Sequence, residues 1–441
     1  MKKISITTLG CKVNQYESAS FQTGFEKAGC EIVSADQDPD VVVINTCTVT
    51  GKAGAQSRQL IRRMARENPL ARIVVTGCHA QLAAREVMEL EELAGHPVCI
   101  VGNGNKHLLV ETALNEKRCD LALLMGKITH QQAICELPVN HFGLRTRALL
   151  KVQDGCSSFC TYCIVPYTRG PGRSLVLEKV LAQARSLAEA GYREIVVTGI
   201  HVGMYGRDLT EGQDIVSLMR NLCEATPDVR YRLSSIEPLE VSESLLDLMR
   251  GQPNFMPHLH IPLQSGDDRV LKQMNRRYST AQFREIIGLC RQKLEQAAIG
   301  IDVLVGFPGE NEKRFETSYE LLQQLDCTYL HVFPYSSRPG TVASTFDGQI
   351  DKSVKDERVA RLRQLSDAKK RGFYDRMVPG TGKVLVESRR DKEGYLKGFS
   401  ENYIPVHFLG GDEWMKRVVE VRLLQRKGLV VMGERMGEEG S

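Results

Sequence analysis

The chain has 441 residues, more than one ordinary hydrophobic core accommodates, so we expect two or three domains. Its composition, 42% hydrophobic and 25% charged with no apolar run long enough to cross a bilayer, argues against a membrane protein. A net charge of +4 neither requires nor excludes nucleic acid, so any RNA surface would be a local patch.

The N-terminus and the cysteine content indicate a reducing compartment. The stretch before Gly10 and Cys11 is too short and too rich in threonine for a signal peptide, which predicts a cytoplasmic protein. Thirteen cysteines exceed what packing requires, and reducing compartments disfavour structural disulfides. The surplus thiols therefore indicate metal or redox chemistry.

Residues 1–140 are predicted to form a doubly wound α/β domain. Short β-branched strands alternate there with helices. The strands read ISITTL, VVVIN, RIVVTG and VCIV, and the helices are expected around Gln15 to Lys27, Lys52 to Glu67 and Gln81 to Glu92. Ligands of such a sheet bind at the carboxyl ends of its strands.

Residues 145–370 are predicted to form a partial (β/α)6 barrel. A linker around Cys135 to Thr146 precedes it. The six expected strands are ALLKVQ, EIVVTGI, VRYRLSS, HLHIP, AIGIDVLVG and TYLHVFPY, separated by helices such as Leu177 to Ala190, Ala281 to Gln296 and Lys313 to Leu325. Catalytic groups of such barrels lie at strand C-terminal ends.

Residues 375–441 are predicted to form a small antiparallel β-barrel after a charged helix around Asp351 to Arg376. Its strands are KVLVES, GYLKGFS, IPVHF, KRVVEVRLLQ and LVVMGE. Basic and aromatic residues are interleaved along it, a pattern that fits RNA binding as well as an ordinary solvated surface. They are Arg389, Arg390, Lys392, Lys397, Lys416, Arg417, Arg426 and Lys427, with Tyr395, Phe399, Tyr403 and Trp414.

A CxxxCxxC loop directly follows the first barrel strand. Its thiols are Cys156, Cys160 and Cys163. A 4Fe-4S cluster normally takes four thiolates, so three leave one iron open, as catalytic metal sites keep a free position. A zinc site or a group of core thiols is the simpler alternative, but the position at a strand end favours a catalytic cluster.

Three further cysteines each follow a strand of the N-terminal domain. Cys11 follows the first strand, Cys47 the second and Cys78 the third. The carboxyl ends of parallel strands meet at one edge of the sheet, so these thiols are expected close together, where they would bind a second cluster. Taken singly, each would be an ordinary buried thiol. The remaining cysteines, including Cys119 and Cys135, are interpreted as structural.

The two groups of cysteines and the C-terminal barrel together resemble the radical S-adenosylmethionine (SAM) methylthiotransferases. The resemblance covers nearly the whole chain as a methylthiotransferase domain, a radical-SAM domain and a TRAM-like domain. The motifs that carry it are TLGCKVNQYES, VINTCTVT, CSSFCTYCIVPYTRG and HIPLQSGDDRVLKQMNRRY, which are similar to the branch acting on N6-threonylcarbamoyladenosine beside the tRNA anticodon. It implies two 4Fe-4S clusters, a 5′-deoxyadenosyl radical formed from SAM, and transfer of a methylthio group to carbon 2 of the base.

The resemblance also implies residues that bind SAM. Gly199 would lie at the methionine amino group, Glu237 at the ribose, and Gly306 and Pro308 behind the adenine. Turn chemistry at strand ends explains the same residues equally well.

Three arginines are candidate substrate contacts. A guanidinium matches phosphate or carboxylate bidentately, so Arg169, Arg276 and Arg277 are candidates for binding such groups, or else belong to a solvated face. The implied partners are the tRNA anticodon loop and an electron donor such as a flavodoxin or ferredoxin, with no membrane and no DNA.

Other functions remain open from the sequence. The same chemistry on isopentenyladenosine in tRNA, or on an aspartate of a ribosomal protein, would require only a different pocket. A non-radical iron-sulfur electron carrier with an RNA-binding tail belongs to another class, as does a pure RNA-binding module; the former would form no 5′-deoxyadenosine and the latter would hold no iron.

Overall fold

The computed structural model describes residues 1–115, 121–209 and 212–437, and Cys119 lies outside these ranges. Three sheet-containing units follow one another along the chain, in the predicted order. Among the described residues, no helix combines the length and the apolar character needed to span a bilayer.

The N-terminal unit is a six-stranded parallel sheet of order β2-β1-β3-β4-β5-β6. Its strands are β1 (Lys3–Thr8), β2 (Glu31–Ile32), β3 (Val41–Thr46), β4 (Arg72–Gly77), β5 (Val98–Val101) and β6 (Leu121–Leu124). Its helices are α1 (Lys12–Lys27), α2 (Gly51–Glu67), α3 (Cys78–Leu82), α4 (Ala84–Met88) and α5 (Leu109–Leu114).

Alternation along the strands of this sheet separates two apolar cores. Val41 and Val43 of β3 pack with α1, whereas Val42 and Ile44 pack with α2. Side chains of a strand alternate between its faces, so apolar runs of this kind predict a sheet covered on both sides. The doubly wound fold is confirmed. The single helix expected around Gln81 to Glu92 is wrong, because the backbone leaves helical geometry at Ala83 (φ −129°, ψ 38°).

The central unit contains two three-stranded parallel sheets, β11-β10-β7 and β12-β13-β14, which form the expected partial barrel. Its strands are β7 (Ala148–Lys151), β8 (Gln153–Asp154), β9 (Arg173–Ser174), β10 (Glu194–Thr198), β11 (Arg230–Leu233), β12 (His258–Gln264), β13 (Ala298–Val305) and β14 (Tyr329–Pro334). Its helices are α6 (Val165–Arg169), α7 (Leu177–Glu189), α8 (Ile215–Ala225), α9 (Glu243–Gly251), α10 (Asp268–Gln273), α11 (Thr280–Lys293), α12 (Glu312–Gln324) and α13 (Lys352–Arg376). A single bridge between Tyr231 and Phe255 joins the region of β11 to the segment before β12.

The C-terminal unit is a closed barrel of order β15-β16-β17-β19-β18. Its strands are β15 (Gly380–Val386), β16 (Leu396–Phe399), β17 (Pro405–Phe408), β18 (Val418–Lys427) and β19 (Val430–Arg435). The predicted antiparallel barrel needs one correction: β17 and β19 pair in parallel. This pairing closes the sheet and leaves no exposed edge. Helix α13 runs through the domain limit predicted at residue 370.

Seven short 3-10 segments complete the described elements. They are Glu91–Leu93, Asn103–Leu108, Ile128–His130, Val202–Met204, Pro238–Glu240, Val342–Thr345 and Asp412–Trp414. The linker between the first two units is packed rather than loose, with Leu137, Val139 and Phe142 buried. The backbone N–H of Phe142 donates to the Tyr192 hydroxyl at 2.7 Å, which fixes the linker along the barrel.

Candidate functional site

The CxxxCxxC loop brings three thiols together at the end of the first barrel strand. Burial, together with the charges of Cys160 and Cys156, raises the pKa of the Cys163 thiol to about 12. The Cys163 N–H donates to the Cys160 carbonyl at 2.9 Å, which folds these two residues into one turn. Metal binding there must displace the thiol protons, as it does at any thiolate site.

Contacts from the rest of the barrel shape this loop. Gly155 has φ +78°, and a Cβ atom there would lie 1.9 Å from the Pro171 carbonyl oxygen, so only glycine fits. The Asn275 side-chain amide donates to the carbonyl of Phe159 at 3.1 Å, and Phe159 itself is in the left-handed region at φ +46°. The Thr161 N–H donates to the Met274 carbonyl at 3.1 Å. The loop is therefore held in shape before any cofactor binds.

Charged side chains surround the thiols of this loop. His201 Nδ1 lies 3.5 Å from Cys156 Sγ, and Arg276 Nη1 donates to Cys160 Sγ at 3.5 Å. Burial by itself would raise the pKa of Cys156, but hydrogen bonds from His201 and Ser158 outweigh it and lower that pKa. These groups stabilise thiolate over thiol, which is the form that binds iron.

The N-terminal cysteines follow the carboxyl ends of three neighbouring strands, at one edge of the sheet. Cys11 caps α1, Cys47 directly follows β3, and Cys78 begins α3, and the strands that precede them are neighbours in the sheet. A Cβ atom at Gly10, where φ is +104°, would lie 2.9 Å from Cys47 Cβ and 3.0 Å from its sulfur. Burial, together with the charges of Cys78 and Cys11, raises the pKa of Cys47 to about 11.

Polar groups without partners lie beside this second set of thiols. Among the residues that the structure describes, none hydrogen-bonds to either ring nitrogen of buried His79 or to the buried side-chain oxygen of Asn103. The Asn103 amide lies 3.9 Å from Cys78 Sγ. Buried polar atoms are normally hydrogen-bonded, so unpaired polar atoms here indicate a site that binds a polar group. Three thiols and unsatisfied polar atoms fit an iron-sulfur cluster whose fourth iron has no protein ligand.

A buried ionic network ties the two cysteine sites to each other. The Glu17 carboxylate, on the helix that begins after Cys11, pairs with Lys106, with Lys151 at 3.2 Å and with Arg169 at 3.0 Å. Arg169 ends the helix that follows Cys163 and also contacts Asp154 at 2.8 Å. Buried charges are tolerated only when paired in this way.

The lowered pKa values of Glu17 and Asp154 show how strongly the charges of this network interact. Burial by itself would raise the pKa of Glu17, but Arg169, Lys106 and Lys151 outweigh it and hold that pKa below its usual range. For Asp154, the cations of Arg169 and Lys151 likewise overcome burial and lower the pKa. Both carboxylates are therefore charged inside the protein, where each depends on its partners.

Further contacts fix the N-terminal domain on the barrel. The Asn103 amide donates to the Thr168 carbonyl at 2.6 Å, and the Gly51 N–H donates to the Ser336 hydroxyl at 2.9 Å. Arg338 donates to the Thr48 hydroxyl, one residue after Cys47. These bonds, together with the ionic network, hold the edge of the sheet against the barrel.

The residues predicted to bind SAM lie at or near the ends of barrel strands. Glu237 lines a cavity of about 280 Å³ together with Cys160 and His201. A Cβ atom at Gly199 would lie 2.9 Å from the Gln153 side-chain oxygen, so the Gln153 side chain packs against this glycine. The Gly306 N–H donates to Glu310 at 2.8 Å. Pro308 is buried in the same turn.

The three candidate arginines occupy different environments. Arg276 pairs with Glu237 and lines the 280 Å³ cavity, and exposed Arg277 lies on the same cavity. Arg169 is only 1% exposed, and its described contacts are all with protein groups, including Asn14 at 2.7 Å. Substrate binding by these residues stays a prediction.

Sequence reasoning missed several residues of the site. Glu17 and Asn14 lie in the TLGCKVNQYES segment. A charged residue such as Glu17 on a helix that packs against a sheet is unusual, so the sequence offered a signal for it. His201 follows Gly199 by two residues and bridges Cys156 to Glu240, whose carboxylate lies 2.9 Å from the His201 Nε2 atom. No local pattern identifies these partners, because each is brought in from another element.

Two family models match the chain, one in its N-terminal unit and one in its central unit. A model described as the Radical SAM superfamily matches residues 150–322. A second model, described as Uncharacterized protein family UPF0004, matches residues 3–98. The two matches contain the two groups of cysteines.

Relatives match over nearly the full length. Threonylcarbamoyladenosine tRNA methylthiotransferase MtaB of Bacillus subtilis is 37% identical over 431 residues, covering 96% of this chain and 94% of the relative. The protein of the same name from Aquifex aeolicus is 36% identical, covering 91% and 97%. A tRNA-2-methylthio-N(6)-dimethylallyladenosine synthase of Thermoanaerobacter is 32% identical, covering 97% and 92%.

Among solved structures, the radical S-adenosylmethionine methyltransferase TsrM of Kitasatospora setae is similar with a TM-score of 0.57. The identity is 16%, and the match covers 78% of this chain and 77% of TsrM. At that identity the likeness shows the fold alone. The site chemistry rests on the cysteines and on the sequence relatives.

Proposed function

Because the chain belongs to the family of the threonylcarbamoyladenosine tRNA methylthiotransferases, we propose that it attaches a methylthio group to carbon 2 of N6-threonylcarbamoyladenosine on the 3′ side of the anticodon. The observation that carries the proposal is the pair of three-thiol sites, joined by the network around Glu17. Two reaction centres held in one fixed arrangement suit a reaction that must bring together a substrate and a transferable group.

The enzyme uses two 4Fe-4S clusters and SAM. Cys156, Cys160 and Cys163 would hold one cluster, and Cys11, Cys47 and Cys78 the other. Bound there, these groups supply radical chemistry and the sulfur to be transferred, which side-chain acid–base catalysis cannot provide for an unactivated ring C–H bond. Membership in an enzyme family rules out the electron carrier without catalytic activity.

The protein's own residues prepare the first site. His201 and Arg276 lie at the sulfurs of Cys156 and Cys160 and offset their negative charge. Glu237 faces the adjoining cavity, in a position to accept hydrogen bonds from ribose hydroxyls. Gly199 follows β10, and Gly306 and Pro308 follow β13; these residues would contact the rest of SAM.

The C-terminal barrel would bind the anticodon loop through phosphate contacts. Arg390 and Arg426 are engaged by Asp412 and Asp375. Within the described chain, five of the predicted basic residues have no side-chain partner and remain available: Arg389, Lys392, Lys397, Lys416 and Arg417. Unpaired Lys and Arg of this kind supply the sequence-independent part of RNA affinity.

The substrate base would be unstacked from the loop to enter the protein, since splayed bases are what proteins read in single-stranded RNA. Arg277, exposed at the cavity beside Cys160, would meet a phosphate nearby. A tRNA substrate places the protein in the cytoplasm. A flavodoxin or ferredoxin there would supply the electron.

A second candidate is the same reaction on dimethylallyladenosine, also called isopentenyladenosine. It is favoured by relatives of that name at 32% identity over nearly the whole chain. The two substrates differ in whether the group on N6 carries a carboxylate, so the side chains that meet this group decide between them.

Mass spectrometry of tRNA nucleosides tests the proposal. Cells that lack the gene should lose 2-methylthio-N6-threonylcarbamoyladenosine and accumulate its precursor, and the intact gene should restore the product. A gene carrying Cys11→Ala should not restore it. Loss of 2-methylthio-isopentenyladenosine instead would replace the first candidate with the second.

A further inference from the structure

A second cavity, of about 360 Å³, lies where the three units of the chain meet. Its wall comes from the start of α1, from strands β10 to β14, from α13 and from the turn between β16 and β17. Small-molecule pockets span about 300–1,000 Å³, so this cavity suffices for a nucleoside substituent. Lys12, directly after Cys11, lines it and connects it to the second cysteine site.

Lys12 is a cation without a directly bonded counterion. The parts of the chain described by the structure offer its ammonium neither a hydrogen bond nor an ion pair, and the charge of Asp302 acts on it only through space. The Lys12 side chain is exposed at the cavity, where a ligand that covers its ammonium must replace the lost hydration with negative charge. A ligand carrying negative charge would provide that compensation.

The carboxylate of Asp302 is already compensated by other groups. His260 Nε2 lies 2.8 Å from it, and His331 Nδ1 lies 3.6 Å from it. These three form a group whose ligand atoms lie within 4.8 Å of one another, and both histidines line the cavity. Asp302 therefore does not need Lys12.

Arg232, on the wall of the cavity, belongs to a cluster of three arginines. Arg147, Arg230 and Arg232 share the single buried carboxylate of Glu194. Glu387 adds one further negative charge through Arg147. Glu401 adds a third negative charge near Arg230, so the arginines are balanced and Lys12 supplies the positive charge for an anionic ligand.

An aromatic wall from the C-terminal barrel completes the cavity. Tyr403 adopts the left-handed region at φ +66° and stacks on Phe399 with ring centroids 4.8 Å apart. The Arg232 guanidinium lies 4.5 Å from the centre of the Tyr403 ring. A non-glycine residue in this conformation is held by its surroundings, so the position of the ring in the wall is fixed.

We propose that this cavity binds an amino-acid substituent on N6 of the substrate adenosine, with Lys12 pairing with the substituent's carboxylate and His331 in reach of its polar groups. The inference rests on the proposed function and names the part of the protein that selects its substrate. An isopentenyl group carries no charge, so it would leave the Lys12 ammonium unpaired. A site built for a polar group rejects an apolar analogue because its own polar groups then lack partners.

Binding of anticodon stem-loop RNA to the anaerobically reconstituted holoenzyme tests this proposal. Two RNAs are compared that differ only in the substituent: N6-threonylcarbamoyladenosine with a free carboxylate, and the same nucleoside as its methyl ester. The wild type should bind the acid about tenfold more tightly, a difference in the range of one charged hydrogen bond. Lys12→Met should bind both RNAs as the wild type binds the ester.

Two further variants control for structural effects. Lys12→Arg should keep the preference for the acid, because it keeps the charge. Lys27→Met, on the same helix, should bind both RNAs as the wild type does. Unchanged affinity of Lys12→Met for the ester shows that this variant is folded and still binds RNA.

An equal affinity of the wild type for acid and ester, or a preference for the acid that survives Lys12→Met, would overturn the proposal. The nucleoside assay is independent of it: methylthiolation of threonylcarbamoyladenosine without any such preference leaves the enzyme's function intact and removes only the Lys12 site. A preference for the acid without that product in cells retains the site and overturns the proposed reaction.

Discussion

The guanidinium of Arg169 lies 3.0 Å from the carboxylate of Glu17, inside the protein. Glu17 belongs to the helix that begins after Cys11, and Arg169 ends the helix that follows Cys163. One ion pair thus connects the supports of the two cysteine sites. Because a rigid link fixes relative position, the network favours a constant separation between the two reaction centres.

Replacing Glu17 by Gln should destabilise the protein strongly. The substitution leaves Lys106, Lys151 and Arg169 with one carboxylate fewer inside the core, and breaking a buried pair typically costs about 3–5 kcal/mol. The midpoint of guanidinium unfolding, followed by circular dichroism, should fall. Glu67→Gln, which removes an exposed pair with Arg63 at 3.9 Å, is the matched control and should change little. Equal midpoints for the two variants would show that the network contributes nothing.

Cys156→Ala and Cys11→Ala should separate two activities. The first removes a ligand of the cluster beside the SAM cavity and should abolish 5′-deoxyadenosine formation. The second should leave that cleavage intact and stop sulfur insertion, because Cys11 belongs to the other group of cysteines, at the edge of the N-terminal sheet. Each should lose about half of the iron. Cys30 lies outside both groups, so Cys30→Ala should keep SAM cleavage, sulfur insertion and the full iron content. Equal loss of cleavage in the Cys156 and Cys11 variants would contradict the division.

Docking of the C-terminal barrel should weaken in acid through Glu194. Burial by itself would raise the pKa of this carboxyl, but Arg232, Arg147 and Arg230 outweigh it and lower the pKa to about 2 from 4.5. A carboxyl whose pKa is lowered by folding stabilises the protein above its unfolded pKa, and the contribution disappears as pH falls from about 4.5 to about 2. Its size is about 3 kcal/mol at neutral pH.

The fluorescence of Trp414, the single tryptophan, reports on this unit. Unfolding midpoints measured across this pH range should decline for the wild type. Glu194→Gln should show a lower midpoint at neutral pH and a flatter decline, whereas exposed Glu224→Gln should behave as the wild type. The Arg232 bond to the Ser400 carbonyl, 2.8 Å long, explains why barrel docking depends on Glu194. A steep decline that persists in Glu194→Gln would assign the acid sensitivity to other groups.

Arg389→Ala and Lys397→Ala should weaken tRNA binding and reduce its salt dependence. Both residues lie at a cavity of about 310 Å³ on the C-terminal barrel. Removing a side chain that neutralises one phosphate should lower the slope of log affinity against log salt by about 1. Exposed Arg66 of α2 provides the control Arg66→Ala. An unchanged slope in filter binding across salt concentrations would place the tRNA elsewhere.

Local patterns predicted much of the fold. The apolar run of β3 and the periodicity of α1 are properties of neighbouring residues, so the sequence predicted both elements. It missed β2 and β6, short strands that depend on the neighbouring strand for their hydrogen bonds. It also predicted an antiparallel barrel, whereas β17 and β19 pair in parallel, since pairing direction is decided by chain crossing rather than by composition.

The sequence by itself identified the two groups of cysteines, because thiol spacing and strand ends are local features that can be recognised without knowledge of distant contacts. Only the tertiary structure decided how the sites are connected. Glu17 meets Lys106, Lys151 and Arg169 across separations of 89, 134 and 152 residues. Lys12 likewise joins a cavity built by all three units, because only folding brings together charges so far apart along the chain.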